Sequence, residues 1–403
     1  MKRSDFLRAL GGLGAGACAM GAAAPLFAAP TPPSADSTHV KITKVQVYPF
    51  ENAVFVKIET DAGVSGWGEA DHDTPLATAR LIRDELAGAL IDQSPWMSEF
   101  FWKRLFYKNE DYGNTGLLPG AIAGLDNALW DLKGRLTGLP VWALLGGCNP
   151  EPIPLYASFG RSTEEGIRNA DDMARVAAEF AEQGFKAFKC RIQIRILNTD
   201  PSPDPTPEIV RAVRKAIGDD AILFVDFNNG YTPAQAITMA KRLYERYDIA
   251  MVEEPVSYHD YEGLAQVVAA LDIPVAAGEH AWNRWQIRDL IMRGQADVIN
   301  TDVIKAGGIT ENRKMAALAS AFNRPIMAHN TRPTLMSAAT AHLLASLDHV
   351  ARWQESAGLR PDMNLQPLFA NNIDIRNGFL YLPQGPGLGL QPIESEMKKR
   401  CLK

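Results

Sequence analysis

The 403-residue chain is short of cysteine, of basic runs and of glycine-rich phosphate loops, and each shortage removes a class of protein. Its four cysteines, Cys18, Cys148, Cys190 and Cys401, form no CxxC pair and none of the spacings of a zinc site, so no disulfide framework follows from them. No stretch of Lys or Arg is sustained, and a formal net charge of −6 offers no basic face to a phosphate backbone. Nucleic acid is therefore not an expected partner. No GxGxxG follows the first strand of the repeating part of the chain, which argues against an open dinucleotide-binding sheet.

A long apolar stretch, residues 9–28, is built of Gly and Ala and is less hydrophobic than a membrane-spanning helix. It follows Lys2, Arg3 and Arg8 and precedes Pro30-Thr31-Pro32-Pro33, the layout of an export signal. Residues 3–8 resemble a twin-arginine signal in which Ser4 replaces the second arginine. The expectation is a signal over residues 1–29, cleaved after Ala28 or Ala29, and a periplasmic mature protein with no membrane attachment. An uncleaved anchor is the competing reading.

The remainder is long enough, at 46% hydrophobic content, for two domains. Apolar and polar residues alternate through 40–47, 53–59 and 64–67 with a turn at Asp61-Ala62-Gly63, and helical periodicity follows in 76–90 and 121–136. These make an α+β domain over 39–153. From Pro154 short apolar runs alternate with amphipathic helices, with strand ends at Gly160, Arg191, Asn228, Glu254, Gly278, Thr301, His329 and Glu355. Eight βα units predict a (β/α)8 barrel over 154–356. After Glu355 the short strands at 372–376 and 379–382 are expected to return to the first domain, so that 357–403 completes it.

Polar residues sit where the apolar strands stop: Lys189 and Arg191, Asp226 and Asn228, Glu253 and Glu254, Glu279 and His280, Asp302, His329, and Glu355. From Asp226 onward one such residue falls on each βα unit, and in a barrel those ends converge on one face. Asp226, Glu253 and Glu279 form an all-oxygen set for a hard divalent cation, one Mg2+ per subunit. Asp302 ends the strand before His329, and a carboxylate beside imidazole fixes its tautomer and prepares a general base. Lys189 and Arg191 are spaced i, i+2 and share the inner face of their strand. They face either an anionic ligand or the carboxylates across the barrel.

These residues resemble the mandelate racemase subgroup of the enolase superfamily. The resemblance spans the mature chain: residues 121–134 with Leu144-Leu145-Gly146-Gly147, Val225-Asp226-Phe227-Asn228, Val252-Glu253-Glu254-Pro255, Ala277-Gly278-Glu279 and Lys305-Ala306-Gly307-Gly308. It implies an N-terminal capping domain over a modified barrel and a homo-oligomer. It also implies a carboxylate substrate whose α-proton a base removes to give a metal-stabilised enediolate. Asp226, Glu253 and Glu279 would then bind the metal, with Glu254 beside them. Asp302 and His329 would form the dyad, and Glu355 would hydrogen-bond the substrate carboxylate. Lys189 and Arg191 stand at the subgroup's Lys-x-Lys motif, with arginine in place of the basic lysine. Arginine stays protonated, which favours dehydration of an acid sugar from one face over racemisation from two. Arg191 is left either to bind a distal group or to act as an unusual base. Asn228, His72 and Asp73 are expected to bind substrate, with Tyr112 and Asn114 as weaker candidates. A racemase or epimerase, and a non-catalytic acid-sugar binding protein, are the other readings.

Overall fold

The computed structural model describes residues 39–160, 168–196, 199–356 and 368–403, so the expected export segment lies outside the described residues. The alternation near the N-terminus produces a three-stranded antiparallel sheet of β1 (Ile42–Phe50), β2 (Ala53–Thr60) and β3 (Ser65–Ala70). Against it pack α1 (Pro75–Leu81), which runs on through a wide turn at Ile82–Leu86, and, after α2 (Ser98–Asn109), the long helix α3 (Leu117–Thr137), on which α2 lies. A Cβ on Gly68 would come within 2.4 Å of backbone atoms of Gly124 and Ala128. Gly66 and Gly68 point to one face of β3, so the absence of side chains there lets α3 lie on the strand backbone. A short helix, α4 (Val141–Leu144), closes the layer.

Eight positions then form the barrel. In chain order they are β4 (Ile153–Phe159), α5 (Ala170–Glu182), β5 (Ala187–Arg191), α6 (Thr206–Ile217), β6 (Ile222–Asp226) and α7 (Pro233–Tyr247). There follow β7 (Met251–Glu253), α8 (Tyr261–Ala270), β8 (Val275–Ala277), α9 (Arg284–Met292), β9 (Val298–Ile299) and α10 (Gly308–Ala321). The seventh position is an extended segment in which Ile326 bridges Ile299 on one side and Val350 on the other. A full strand is expected there, but Pro325 has no N–H to give the ladder. After α11 (Leu335–Leu344), β10 (Gln354–Ser356) pairs in parallel with β4 and brings the ring back to its start.

Strand register decides where the chemistry sits. Arg191 is paired with Asp226 and Asp226 with Glu253, so these ends are level. Two residues earlier on the same inward side lie Phe224 and Met251, which join Tyr156, Ala187, Ala276, Val298 and Met327 in an apolar floor. The barrel axis is thus filled below and polar above, as barrel enzymes require.

The C-terminal hairpin of β11 (Asp374–Arg376) and β12 (Phe379–Tyr381) departs from expectation. It adds antiparallel to β4 through Phe379 and Pro154 instead of joining the first sheet. Pairing of β10 with β4 begins only at Leu155, which leaves Ile153 and Pro154 an open edge. The following segment does reach the first domain. Val141 N–H donates to Gly387 O (2.9 Å), and Leu388 N–H to Asp131 (2.7 Å). The last helix, α12 (Glu394–Arg400), sets Glu394 against Lys57 (2.6 Å) and Tyr48 (3.1 Å). Among the described residues no helix is long and apolar enough to cross a membrane.

His342 on α11 is fully buried and accepts from Trp142 N–H at 3.4 Å. Burial pushes its pKa from the ordinary 6.5 down to about 4. A depressed histidine contributes stability that is present above the unfolded value and lost as pH falls toward the folded one. Between pH 7 and 4.5 the wild type should therefore lose about 2–3 kcal/mol more stability than His342→Leu. Urea denaturation at the two pH values checks this, and equal losses would refute it.

Candidate active site and metal centre

Asp226 ends β6, Glu253 ends β7 and Glu279 lies two residues beyond β8, so three adjacent strands deliver three carboxylates to one point. One oxygen from each lies within 4.8 Å of the others, and all three residues are buried. Asp226 is held by Asn228, whose backbone N–H and side-chain amide each donate at 2.8 Å, and it faces Arg191 Nε at 3.4 Å. Glu253 is ion-paired with Lys189 and accepts from Asn300 Nδ2 at 3.3 Å. Glu279 Oε2 is buried without a hydrogen bond, and His329 Nε2 faces it at 3.4 Å.

Burial raises the Asp226 carboxyl to about 6 and pushes Glu253 up as well, against the pull of Lys189. Burial alone would raise Glu279 too, but His329, His280 and Arg191 hold it well below the carboxylate range. Three like charges at this spacing resist joint ionisation. An all-carboxylate donor set with one unsatisfied buried oxygen fits a hard divalent cation, which relieves that repulsion. Glu254 is adjacent but differently used. Its backbone is left-handed (φ +44°), and its carboxylate accepts from Gly278 N–H at 2.9 Å.

His329 Nδ1–H donates to Asp302 Oδ2 at 2.7 Å, which fixes the tautomer and leaves Nε2 facing the acidic triad. Burial disfavours the imidazolium, but Glu279, Glu355 and Asp302 together raise the His329 pKa above its ordinary value. Asp302 is itself anchored, accepting from the N–H groups of Ile304 (2.8 Å) and Lys305 (3.0 Å). Across the barrel, Lys189 lies 3.0 Å from Glu355 while paired with Glu253, so one buried ammonium serves two carboxylates. Burial would raise Glu355, yet Lys189 and His329 bring it down to about 2.

Most of the residues expected from sequence meet here, with one change of task. The Asn228 amide is committed at both ends, donating to Asp226 and accepting from Gln193 N–H (3.0 Å), so it holds the candidate ligand Asp226 and is not a free hand for substrate. Its left-handed backbone (φ +46°) turns the side chain back on its own strand end. Lys189 faces Glu253 and Glu355, and Arg191 Nε faces Asp226 at the level end of the neighbouring strand.

The loop after β3 reaches the same face. His72 lies 3.7 Å from Asp73, which in turn lies 3.9 Å from Lys305 Nζ. Asn114 gives its carbonyl to Asn283 (3.1 Å), and the Tyr112 side chain lies outside the described residues. Sequence reasoning missed Asn300, Lys305 and Asn330, whose N–H donates to Glu355 Oε2 at 2.9 Å. Asn300 directly follows β9 and Asn330 directly follows His329, positions where polar residues are common without a task.

A (β/α)8 barrel under an α+β cap, with carboxylates on three successive strand ends and an Asp–His pair on the next two, is the architecture of an enolase-type enzyme. Residues 27–146 match the mandelate racemase / muconate lactonizing enzyme N-terminal domain, and residues 172–396 match the enolase C-terminal domain-like family. The chain belongs to the mandelate racemase subgroup of the enolase superfamily. It is 31% identical to the D-galactonate dehydratase of Ralstonia pickettii, over 90% of this chain and 94% of that one. It is 32% identical to the D-galactarolactone cycloisomerase of Agrobacterium fabrum, over 87% of this chain and 96% of the other. Among solved structures, a mandelate racemase/muconate lactonizing protein from Paracoccus denitrificans, complexed with magnesium, superposes with a TM-score of 0.84 at 32% identity, covering 90% of this chain and 97% of that chain.

Proposed function

We propose that the chain dehydrates an aldonic or aldaric acid to its 2-keto-3-deoxy product with the help of Mg2+. The observation that carries this reading is the His329 Nε2 edge, steered by Asp302 at 2.7 Å and placed 3.4 Å from Glu279. A base fixed beside a cation site is the arrangement needed to take a proton next to a carboxylate. A divalent ion held by Asp226, Glu253 and Glu279 would supply Lewis acidity to the substrate carboxylate.

The chain's own residues do the rest. His329 takes the α-proton at Nε2, and Asp302 stabilises the resulting imidazolium. That proton then leaves with the β-hydroxyl as water, and the enol tautomerises, C3 gaining a proton as the C2 hydroxyl loses one, to give the keto acid. Arg191, committed to Asp226, binds a substrate oxygen and does not accept a proton. A single base on one face suits elimination and disfavours racemisation, which needs a group on each face. The cycloisomerase relative supports a second reading, ring opening of an acid-sugar lactone by the same one-base chemistry.

A screen of aldonates, aldarates and aldarolactones with Mg2+, detecting 2-keto products, separates the two. Turnover of open-chain acids is expected. Turnover of lactones alone would transfer the assignment to cycloisomerisation, and no turnover of a broad set would overturn both. An exported enzyme, as residues 1–29 suggest, would do this work in the periplasm.

A further inference from the structure

The two helices that follow the dyad strands do not cap themselves. The residues before α10 and α11, Gly307 and Thr334, make no side-chain capping bond. Both first turns are closed from the other domain. Asp126 on α3 accepts from Thr310 N–H (2.8 Å) and Thr310 Oγ1–H (2.6 Å), just beyond Asp302. Glu69 on β3 accepts from Thr334 Oγ1–H (2.6 Å) and Met336 N–H (2.9 Å), just beyond His329. Glu69 is fully buried, and its second oxygen has no hydrogen-bond partner among the described residues. A carboxylate so placed is a poor investment for stability alone.

From Glu69 the bonds run on toward the chemistry. Ser337 Oγ, on the helix turn that Glu69 closes, shares its proton between Arg332 O at 2.5 Å and Asn330 Oδ1 at 2.9 Å, and Asn330 N–H donates to Glu355 Oε2 at 2.9 Å. Asn330 is the residue after His329. We propose that Glu69 is a positioning residue of the capping domain, setting the segment 329–337 and with it the aim of His329 and Glu355. For its catalytic arm this rests on the dehydratase reading.

The test compares Glu69→Ala with Glu69→Gln, whose amide oxygen can still accept from Thr334 and Met336. In Glu69→Ala, amide exchange of residues 330–338 should accelerate at least about tenfold. Turnover of the acid found in the screen should fall about 10- to 100-fold in kcat with KM within about threefold, the scale of a slightly misplaced catalytic group. Glu69→Gln should restore both to within about threefold, without a change in melting temperature. A Glu69→Ala enzyme with unchanged kcat, or with exchange faster throughout the chain, would overturn the proposal. If the wild type turns over no acid, the reaction assignment fails separately. The positioning claim is then decided by exchange and by the rate at which diethyl pyrocarbonate modifies His329, expected to rise in Glu69→Ala and return in Glu69→Gln.

Discussion

Replacing His329 with glutamine should leave a folded, metal-binding barrel with turnover reduced at least about a hundredfold, since general-base catalysis contributes roughly 10²–10⁴ and among the described residues no other base is aimed at the same point. The reasoning is geometric. Lys189 is spent on Glu253 and Glu355, and Arg191 on Asp226, so neither can substitute. Glutamine keeps the bulk of the side chain and can still donate to Asp302, which separates loss of the base from loss of packing. Asp302→Asn should be milder, because it removes the tautomer lock and not the imidazole. Steady-state kcat with the acid from the screen, beside a thermal melt and a Mg2+ titration, measures this. A His329→Gln enzyme within tenfold of wild type would assign the proton transfer elsewhere.

Neutralising Glu279 should uncouple the stability of the protein from Mg2+. With Mg2+ at about 100 times its dissociation constant, the wild type should gain roughly 2.7 kcal/mol, and the Glu279→Gln variant should gain almost none. Activity should vanish with the metal response and return in the wild type when Mg2+ is restored after EDTA treatment. A variant that still melts higher in Mg2+ by the wild-type increment would remove Glu279 from the ligand set.

The parts of the site carried on strands were legible because of periodicity. An inward residue at the end of each βα unit recurs on a fixed beat, and strands in parallel register keep those ends level, as the pairing of Asp226 with Glu253 shows. The Asp302–His329 contact followed from the same beat. What escaped reading lies where position along the chain does not determine direction. Asn228 occupies a left-handed turn that bends its amide back onto Asp226, and no spacing rule reveals this. Glu69 and Asp126 meet their partners more than 180 residues away, across a domain boundary. The C-terminal hairpin was recognisable as strands, yet its partner was decided by a two-residue edge left open on β4.

The bond from Tyr48 to Glu394 joins residues 346 apart in sequence, and Leu402 N–H reaches Pro49 O at 2.6 Å beside it. The layer that leaves the ribosome first is therefore among the last to be finished. Its sheet can pair early, but the lysine on its central strand, Lys57, waits for a carboxylate translated at the far end. At roughly 5–20 residues per second that wait lasts on the order of a minute or less, during which the half-made cap is held by its own short-range contacts.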